Sequence, residues 1–462
     1  MKKIILGLVV CVLLVVCVAF ASQARQDIQK EQEAQDSVVA NGECRHGEDE
    51  FCTHLPIVSI STNGQQVLKE SKIWVDVEVF DHASGNNHLS DVSVLSCMAT
   101  AKYRGNSSYY IFDKRSYRVE FFKNTTKKQD FDLFGMGAHS DWVFNGPFLD
   151  RSLVRNRLMF QLSREVLPWA PETHYFELFV DGAYQGVYLA IEPISNGETR
   201  LNLTRFSMIS GETAYIVGRE RIDTNPLEIE TYGYYAGETS FKLHIAYPSP
   251  KKILDRQIAY ILKDINRFEE ALYSDDFDSP RIGYSAYIDV DSFVHYFLLN
   301  ELASITDATR LSTYTYKNIG GKLTMTVWDF NNGFDNYPWY EAGPEGGFYA
   351  QTGNWIDRLL QDRAFTERVV TRYHELRETL WTEERLFGII DGEREYLGDA
   401  IDRNFEKYGY TFSDNLLSRD ANGEYRDPIN YEDAVRMLKA NIHARLAYMD
   451  REIEGLYDLC IN

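Results

Sequence analysis

At 462 residues, 44% of them apolar and 25% charged, the chain can bury a large core in two lobes or domains. Its formal charge of −21 argues against nucleic acid as a partner, because no basic excess exists to displace counterions from phosphates. The 14% aromatic content, with 30 Tyr, fits broad half-polar surfaces or clefts.

Two lysines, an apolar run from Ile4 to Phe20 and the small-residue pattern Ala19-Phe20-Ala21 give residues 1–21 the layout of an export signal. The run is also long enough to remain as a membrane anchor, and no later apolar stretch could span a bilayer. In either case the body is expected to be exported: extracellular, on the cell surface or periplasmic, touching a membrane only through this segment. Residues 22–54 are polar and read as a linker. Beyond the leader lie Cys44, Cys52, Cys97 and Cys460, an even number that favours disulfides in an exported chain. Cys44 with Cys52 would close a small loop and leave Cys97 with Cys460 as a staple, although three pairings are open. No CxxC or HExxH motif supports a zinc site.

From residue 55 the pattern becomes short alternating runs. Ile57-Val58-Ser59-Ile60, Ile73 to Phe80 and Tyr117 to Phe121 read as strands. Leu153, Leu158, Leu162 and Val166 mark one face of a helix, with Asp150 and Ser152 near its start. FELFVDGAYQGVYLAI, residues 176–191, reads as a hairpin turning at Asp181-Gly182. Irregular short strands follow to residue 250. Helices then dominate: Leu254 to Leu272, Asp291 to Ala303, two or three over 355–405, and a last one carrying Val435, Leu438, Ile442, Leu446, Met449, Ile453 and Leu456 on one face. The expected class is α+β, with a β-rich part over 55–195 and a mainly helical part over 196–462.

Within the second part, Thr313–Tyr316 and Leu323–Val327 form a strand pair around the turn Asn318-Ile319-Gly320-Gly321. Asp307 precedes the first strand and Asp329 follows the second, so folding the hairpin brings both carboxylates to one place. Two acids held together raise each other's pKa unless a cation lies between them. Mg²⁺ with a polyphosphate meets that need, since it takes one or two carboxylates and completes its shell with water and phosphate. On this plan Asp329 holds metal with Asn331 as a second oxygen donor, and Asp307 orients or accepts the proton of a substrate hydroxyl, as in protein kinases. The plainer reading is that each acid caps a turn. Upstream, YRGNSSYYIFDKRSYRVEF (103–121) offers a glycine turn with polar donors and then Lys114, a phosphate-covering loop or an ordinary hairpin turn.

The segments RGNSS…DKRSYRVEF (104–121), DWVFNGPFLDRSLVRNRL (141–158), FELFVDGAYQGVYLAIEPI (176–194), YIDVDSFVHYFLLNELASITDATRLSTYTYK (287–317) and GGKLTMTVWDFNNGF (320–334) stand in one order. Together they resemble the spore coat protein H (CotH) family of secreted atypical protein kinases, over roughly residues 55–455. The resemblance implies a bilobal protein-kinase-like fold with ATP and Mg²⁺, or Mn²⁺, between the lobes, and phosphate transfer to Ser or Thr of an exported protein. By matching position it assigns Lys114 to the nucleotide phosphates, Asp307 to catalysis and Asp329 to metal. Arg104 matches the loop arginine, and Glu192 falls on the nucleotide side of the cleft. The helix glutamate that would hold Lys114 is not evident, with Glu165 as one candidate. Two departures stand out: Ser312 lies where many members carry a metal-binding Asn, and Asp335 where glycine is expected. Neither removes an acid or the lysine. Competing expectations are a weakly active surface binding protein or adhesin of the same fold, another ATP-dependent transferase such as one moving AMP, and a two-carboxylate glycan hydrolase, which leaves Lys114 unexplained.

Overall fold

The computed structural model describes residues 50–461 apart from 83–85, 205, 208–210, 221–226 and 352–354. The export signal, most of the linker and Cys44 lie outside the described residues. The fold starts slightly earlier than residue 55: Phe51 packs edge-on against Phe179 at 4.8 Å, and Thr53 exchanges backbone hydrogen bonds with Asn87.

Seven strands make the first unit: β1 (Ile57–Ser61), β2 (Ile73–Phe80), β3 (Leu95–Arg104), β4 (Ser116–Asn124), β5 (Asp141–Asn145), β6 (Thr173–Val180) and β7 (Ala183–Ile191). Their order is β3-β2-β1-β6-β7-β5-β4, and β4 pairs back onto β3, so the sheet closes into a barrel without free edges. Only β1 and β6 run parallel. Strand β2 shows why these residues form a wall. In IWVDVEVF, Val75, Val77 and Val79 are buried, while Trp74, Asp76 and Glu78 face out. The interior is filled by residues such as Phe121, Trp142, Phe144, Phe176 and Tyr188. The β6–β7 hairpin turns at Asp181 and Gly182, both with positive φ (49° and 75°), the geometry a two-residue turn between twisted strands demands.

Helix α1 (Arg155–Val166) lies between β5 and β6, and Asp150 accepts hydrogen bonds from the Ser152 and Arg155 amides at its entry. A second sheet contains β8 (Tyr215–Arg219), β9 (Leu243–Tyr247), β10 (Thr313–Lys317) and β11 (Thr324–Thr326), in the order β9-β8-β10-β11 with a two-residue strand, 228–229, outside β9. Around it pack α2 (Asp255–Leu272), α3 (Val290–Leu302), α4 (Arg363–Glu378), α5 (Glu383–Leu397), α6 (Ala400–Tyr408) and α7 (Tyr431–Glu452). With the single turn 355–359, the stretch 355–408 holds four helices rather than two or three. All seven apolar residues from Val435 to Leu456 that the helical spacing marks are buried.

The fold is α+β, with two large cores and two smaller apolar clusters among the described residues. One fills the barrel; the larger joins α1 and the outward side of β5 and β7 (Val143, Val187, Leu189, Ile191) to the helices and second sheet. The expected Cys97–Cys460 staple does not form. Cys97 sits in β3 opposite Val77 on the barrel wall, Cys460 Sγ lies 3.8 Å from the Leu360 carbonyl among the helices, and both are free thiols. The expected Cys44–Cys52 loop falls partly outside the described residues. No helix among the described residues is long and apolar enough to cross a membrane.

Candidate active site

Strands β10 and β11 pair antiparallel, with Tyr314 opposite Thr326 and Tyr316 opposite Thr324, so the chain entering β10 and the chain leaving β11 emerge side by side. Asp307, in the turns after α3, and Asp329, after β11, line one small cavity of about 20 Å³ together with Asn300, Thr306, Ser312, Trp328 and Asn332. Asp329 and Trp328 also wall a neighbouring cavity of about 60 Å³, whose other lining includes Arg104, Gly105, Ser108, Ser116, Asn145, Asn156 and Asn331. Asp329 therefore stands at the junction of two spaces, held in the left-handed region at φ 62°.

The last residue of β3 is Arg104, and a glycine turn follows it. Gly105 has φ 95°, and a Cβ placed there would lie 2.1 Å from Ser108 Oγ, so the turn admits no side chain without rearrangement. The Arg104 guanidinium lies 5.1 Å over the Trp328 ring. Burial lowers its pKa, and the nearby charge of Asp329, then Tyr314 and Glu220, opposes that shift.

Lys114 does not reach this cleft. A bend at 113–114 interrupts the approach to β4, and Nζ turns away to donate to Asn404 Oδ1 on α6 at 2.6 Å, between the rings of Tyr188 (5.2 Å) and Tyr408 (5.0 Å). Burial among aromatics drives its pKa well down, with the charge of Lys407 adding to the effect. Glu165 is not its partner: that carboxylate pairs with Arg385 at 2.6 Å. Glu192 is also directed elsewhere. Alternation along the end of β7 gives Ile191 to the cleft, and Glu192 pairs with Arg200 at 2.5 Å and accepts the Glu172 amide at 2.9 Å. Burial pushes the Glu192 carboxyl up to about 7 despite that arginine. Arg104, and not Lys114, lines the larger of the two cavities beside Asp329.

Asn331 is adjacent to Asp329 but does not offer it an oxygen. Its Nδ2 donates to Asp329 Oδ1 at 2.7 Å, and its Oδ1 accepts from Asn156 Nδ2 at 2.8 Å. Asn331 orients the acid rather than sharing a ligand with it. The carboxylates of Asp307 and Asp329 are hard oxygen donors on a common cavity, and among the described residues no three His, Cys, Asp or Glu side chains form a metal cage. That donor set fits Mg²⁺, which takes few protein ligands and keeps the rest for water and phosphate.

Several residues of the site escape a reading by motif. Glu220, just past β8, approaches Ser312 Oγ (3.4 Å) and Tyr314 OH (3.5 Å), and its charge acts on Arg104. Asn156, Asn145 and Ser116 connect α1, β5 and β4 to Asn331. The one available signal was Asn156 itself, a polar residue on the buried side of an amphipathic helix. Asp335 is explained locally: at φ 59° it occupies a position that suits glycine, while its carboxylate binds Arg426 (2.6 Å) and the Ala342 amide (2.8 Å).

No curated protein matches this chain. A comparison with protein families finds one match, described as CotH kinase protein, over residues 101–449. The matched span runs from β3 to the last turns of α7 and includes the glycine turn, α1, both acids and the hairpin between them. The chain belongs to the CotH kinase family.

Proposed function

We propose that this chain is an exported, ATP-dependent protein kinase that moves the γ-phosphoryl group to a Ser or Thr hydroxyl of another exported protein, with Mg²⁺ or Mn²⁺ as cofactor. The observation that carries this reading is the convergence of Asp307 and Asp329 on one cavity, with Arg104 in the neighbouring cavity that Asp329 also walls. Asp329, fixed by Asn331, would hold the metal. The metal, when bound, neutralises charge on the phosphates. Arg104 would contact the phosphates through its fork of N–H donors. Asp307 would align the acceptor hydroxyl and take its proton as the new O–P bond forms and the bond to the β-phosphate oxygen breaks.

The cavities at 20 and 60 Å³ hold water-sized guests, whereas ligand pockets run to roughly 300–1,000 Å³. Nucleotide entry on this reading requires the Arg104 loop and the Trp328–Asp329 wall to separate. The test is label transfer from γ-³²P-ATP and α-³²P-ATP with Mg²⁺ to the protein itself and to exported proteins. Label from the γ position alone supports the kinase reading. Label from the α position replaces it with AMP transfer, and no label from either leaves a binding protein of this fold.

A further inference from the structure

The amide groups beside Asp329 form a chain whose polarity is not arbitrary. The Phe330 backbone N–H donates to Asn156 Oδ1 at 2.8 Å. A backbone N–H can only donate, so the oxygen of Asn156 is committed to it and the NH₂ must face the other way. Both hydrogens of that NH₂ are used, on Asn331 Oδ1 at 2.8 Å and on Asn145 Oδ1 at 3.3 Å. Asn331 must then present its own NH₂ to Asp329, and Asn145 its NH₂ to Ser116 Oγ at 3.4 Å, where the Gly146 amide also donates at 3.1 Å. Asn156 is buried, 4% exposed, and each of its polar atoms has a protein partner.

We propose that Asn156 is a positioning residue that sets the direction of this relay and so makes Asn331 a hydrogen-bond donor to Asp329 instead of a metal ligand. The inference rests on the metal-binding reading of Asp329 above. It explains how α1, which packs on the barrel, controls a carboxylate on the far side of the cleft without touching it. Asp329 Oδ1 is occupied by Asn331, which fixes the rotation of the carboxylate. Arg155, the preceding residue on α1, braces the same segment by donating from Nε to the Gly333 carbonyl at 3.0 Å.

The relay can be reversed by one substitution. In Asn156→Asp, one carboxylate oxygen keeps the Phe330 N–H, and the other can only accept. Asn331 and Asn145 must then turn their NH₂ groups toward it, and the Ser116 hydroxyl turns to donate to Asn145. Asn331 Oδ1 now faces Asp329, two oxygens that repel when empty and chelate when a cation is present. In Asn156→Leu the relay is broken and the Phe330 N–H loses its acceptor.

The experiment is titration of Mg²⁺ alone, followed by calorimetry and thermal shift, on wild type, Asn156→Asp, Asn156→Leu and the double variant Asn156→Asp/Asn331→Leu. The relay predicts opposite signs: Asn156→Asp tightens the Mg²⁺ Kd by about tenfold while lowering the metal-free Tm, and Asn156→Leu weakens it by about tenfold. The double variant loses the tightening, which separates amide reversal from the mere addition of a negative charge. Equal-sign shifts in the two single variants, or tightening that survives in the double variant, overturn the proposal. If wild type shows no response to Mg²⁺, the metal reading of the site fails separately. The relay is then judged on the metal-free Tm, where Asn156→Asp must exceed Asn156→Leu and equal values reject it.

Discussion

The barrel and the cleft segment solve opposite problems. Barrel strands keep close to regular structure: alternation decides which side chains enter, and closure pairs the backbone, with one register shift at Tyr184–Gly186 in β7. The stretch 304–335 departs from those rules. Of eleven non-glycine residues with positive φ among the described residues, six lie there: Ser304, Thr309, Ser312, Asp329, Phe334 and Asp335. Each such conformation costs on the order of 1–3 kcal/mol and persists only where surrounding contacts fix it. Those contacts are visible: Arg219 donates to the Thr309 carbonyl, the Phe334 amide to the Ala303 carbonyl, and Arg426 to the Asp335 carboxylate. None of the eleven lies within a barrel strand, so positive-φ conformations fall in the connections and cluster beside the two acids.

This contrast can be broken experimentally. The largest effect is expected at Asp329. Asp329→Asn should lower phosphoryl transfer by about a thousandfold while leaving the melting temperature nearly unchanged, since the residue has no part in either core. A comparable drop in Tm would mean the acid is structural. Phe121→Ala should do the reverse, costing about 3–5 kcal/mol in denaturant unfolding while the folded fraction keeps its turnover. Loss of turnover at full folding would couple barrel and cleft more tightly than their separate cores suggest.

A pair of cations sharpens the comparison further. Arg104→Met should reduce kcat/KM by about a hundredfold, because the side chain borders both the cleft and Asp329. Lys114→Met should change it by less than about threefold, because an apolar chain suits the space between Tyr188 and Tyr408. Steady-state kinetics that reverse this order would return Lys114 to the nucleotide. The smallest effect concerns His174, packed against Phe134 and Tyr396, whose pKa burial lowers to about 4, with the charge of Arg157 acting in the same direction. Between pH 6.5 and 4 the unfolded state binds a proton there that the folded state does not. This contribution to stability is complete above pH 6.5 and declines as pH falls, by at most about 1.4 kcal/mol per unit. In urea unfolding at pH 7, 6 and 5, His174→Gln should show a shallower loss than wild type, and an equal slope would assign the dependence to other groups.

Much of the site was legible because its parts are local. The hairpin carrying Asp307 and Asp329 followed from two short runs and a glycine turn, the turn at Gly105 from its glycine and polar donors, and Arg104 from the family resemblance. The position of the Lys114 amine was not legible, because side-chain direction beyond a strand end depends on the backbone, and the bend at 113–114 sends the amine to α6. The direction of Glu192 was hidden for a related reason: Ile191 lines the cavity at the end of β7, while Glu192 pairs with Arg200. Asn331 was placed correctly beside the acid, but its role depends on which end of its amide faces Asp329, a choice made 175 positions away at Asn156.

The sequence by itself determined the elements, their buried faces and the family, because hydrophobic period and turn chemistry act over a few residues. Only the tertiary structure decided that β4 closes onto β3 and β1 runs beside β6, that Cys97 and Cys460 stay apart, and that Arg104 rather than Lys114 shares a cavity with Asp329. Those outcomes depend on contacts between segments distant in the chain, whose energies exist only once the whole molecule has packed.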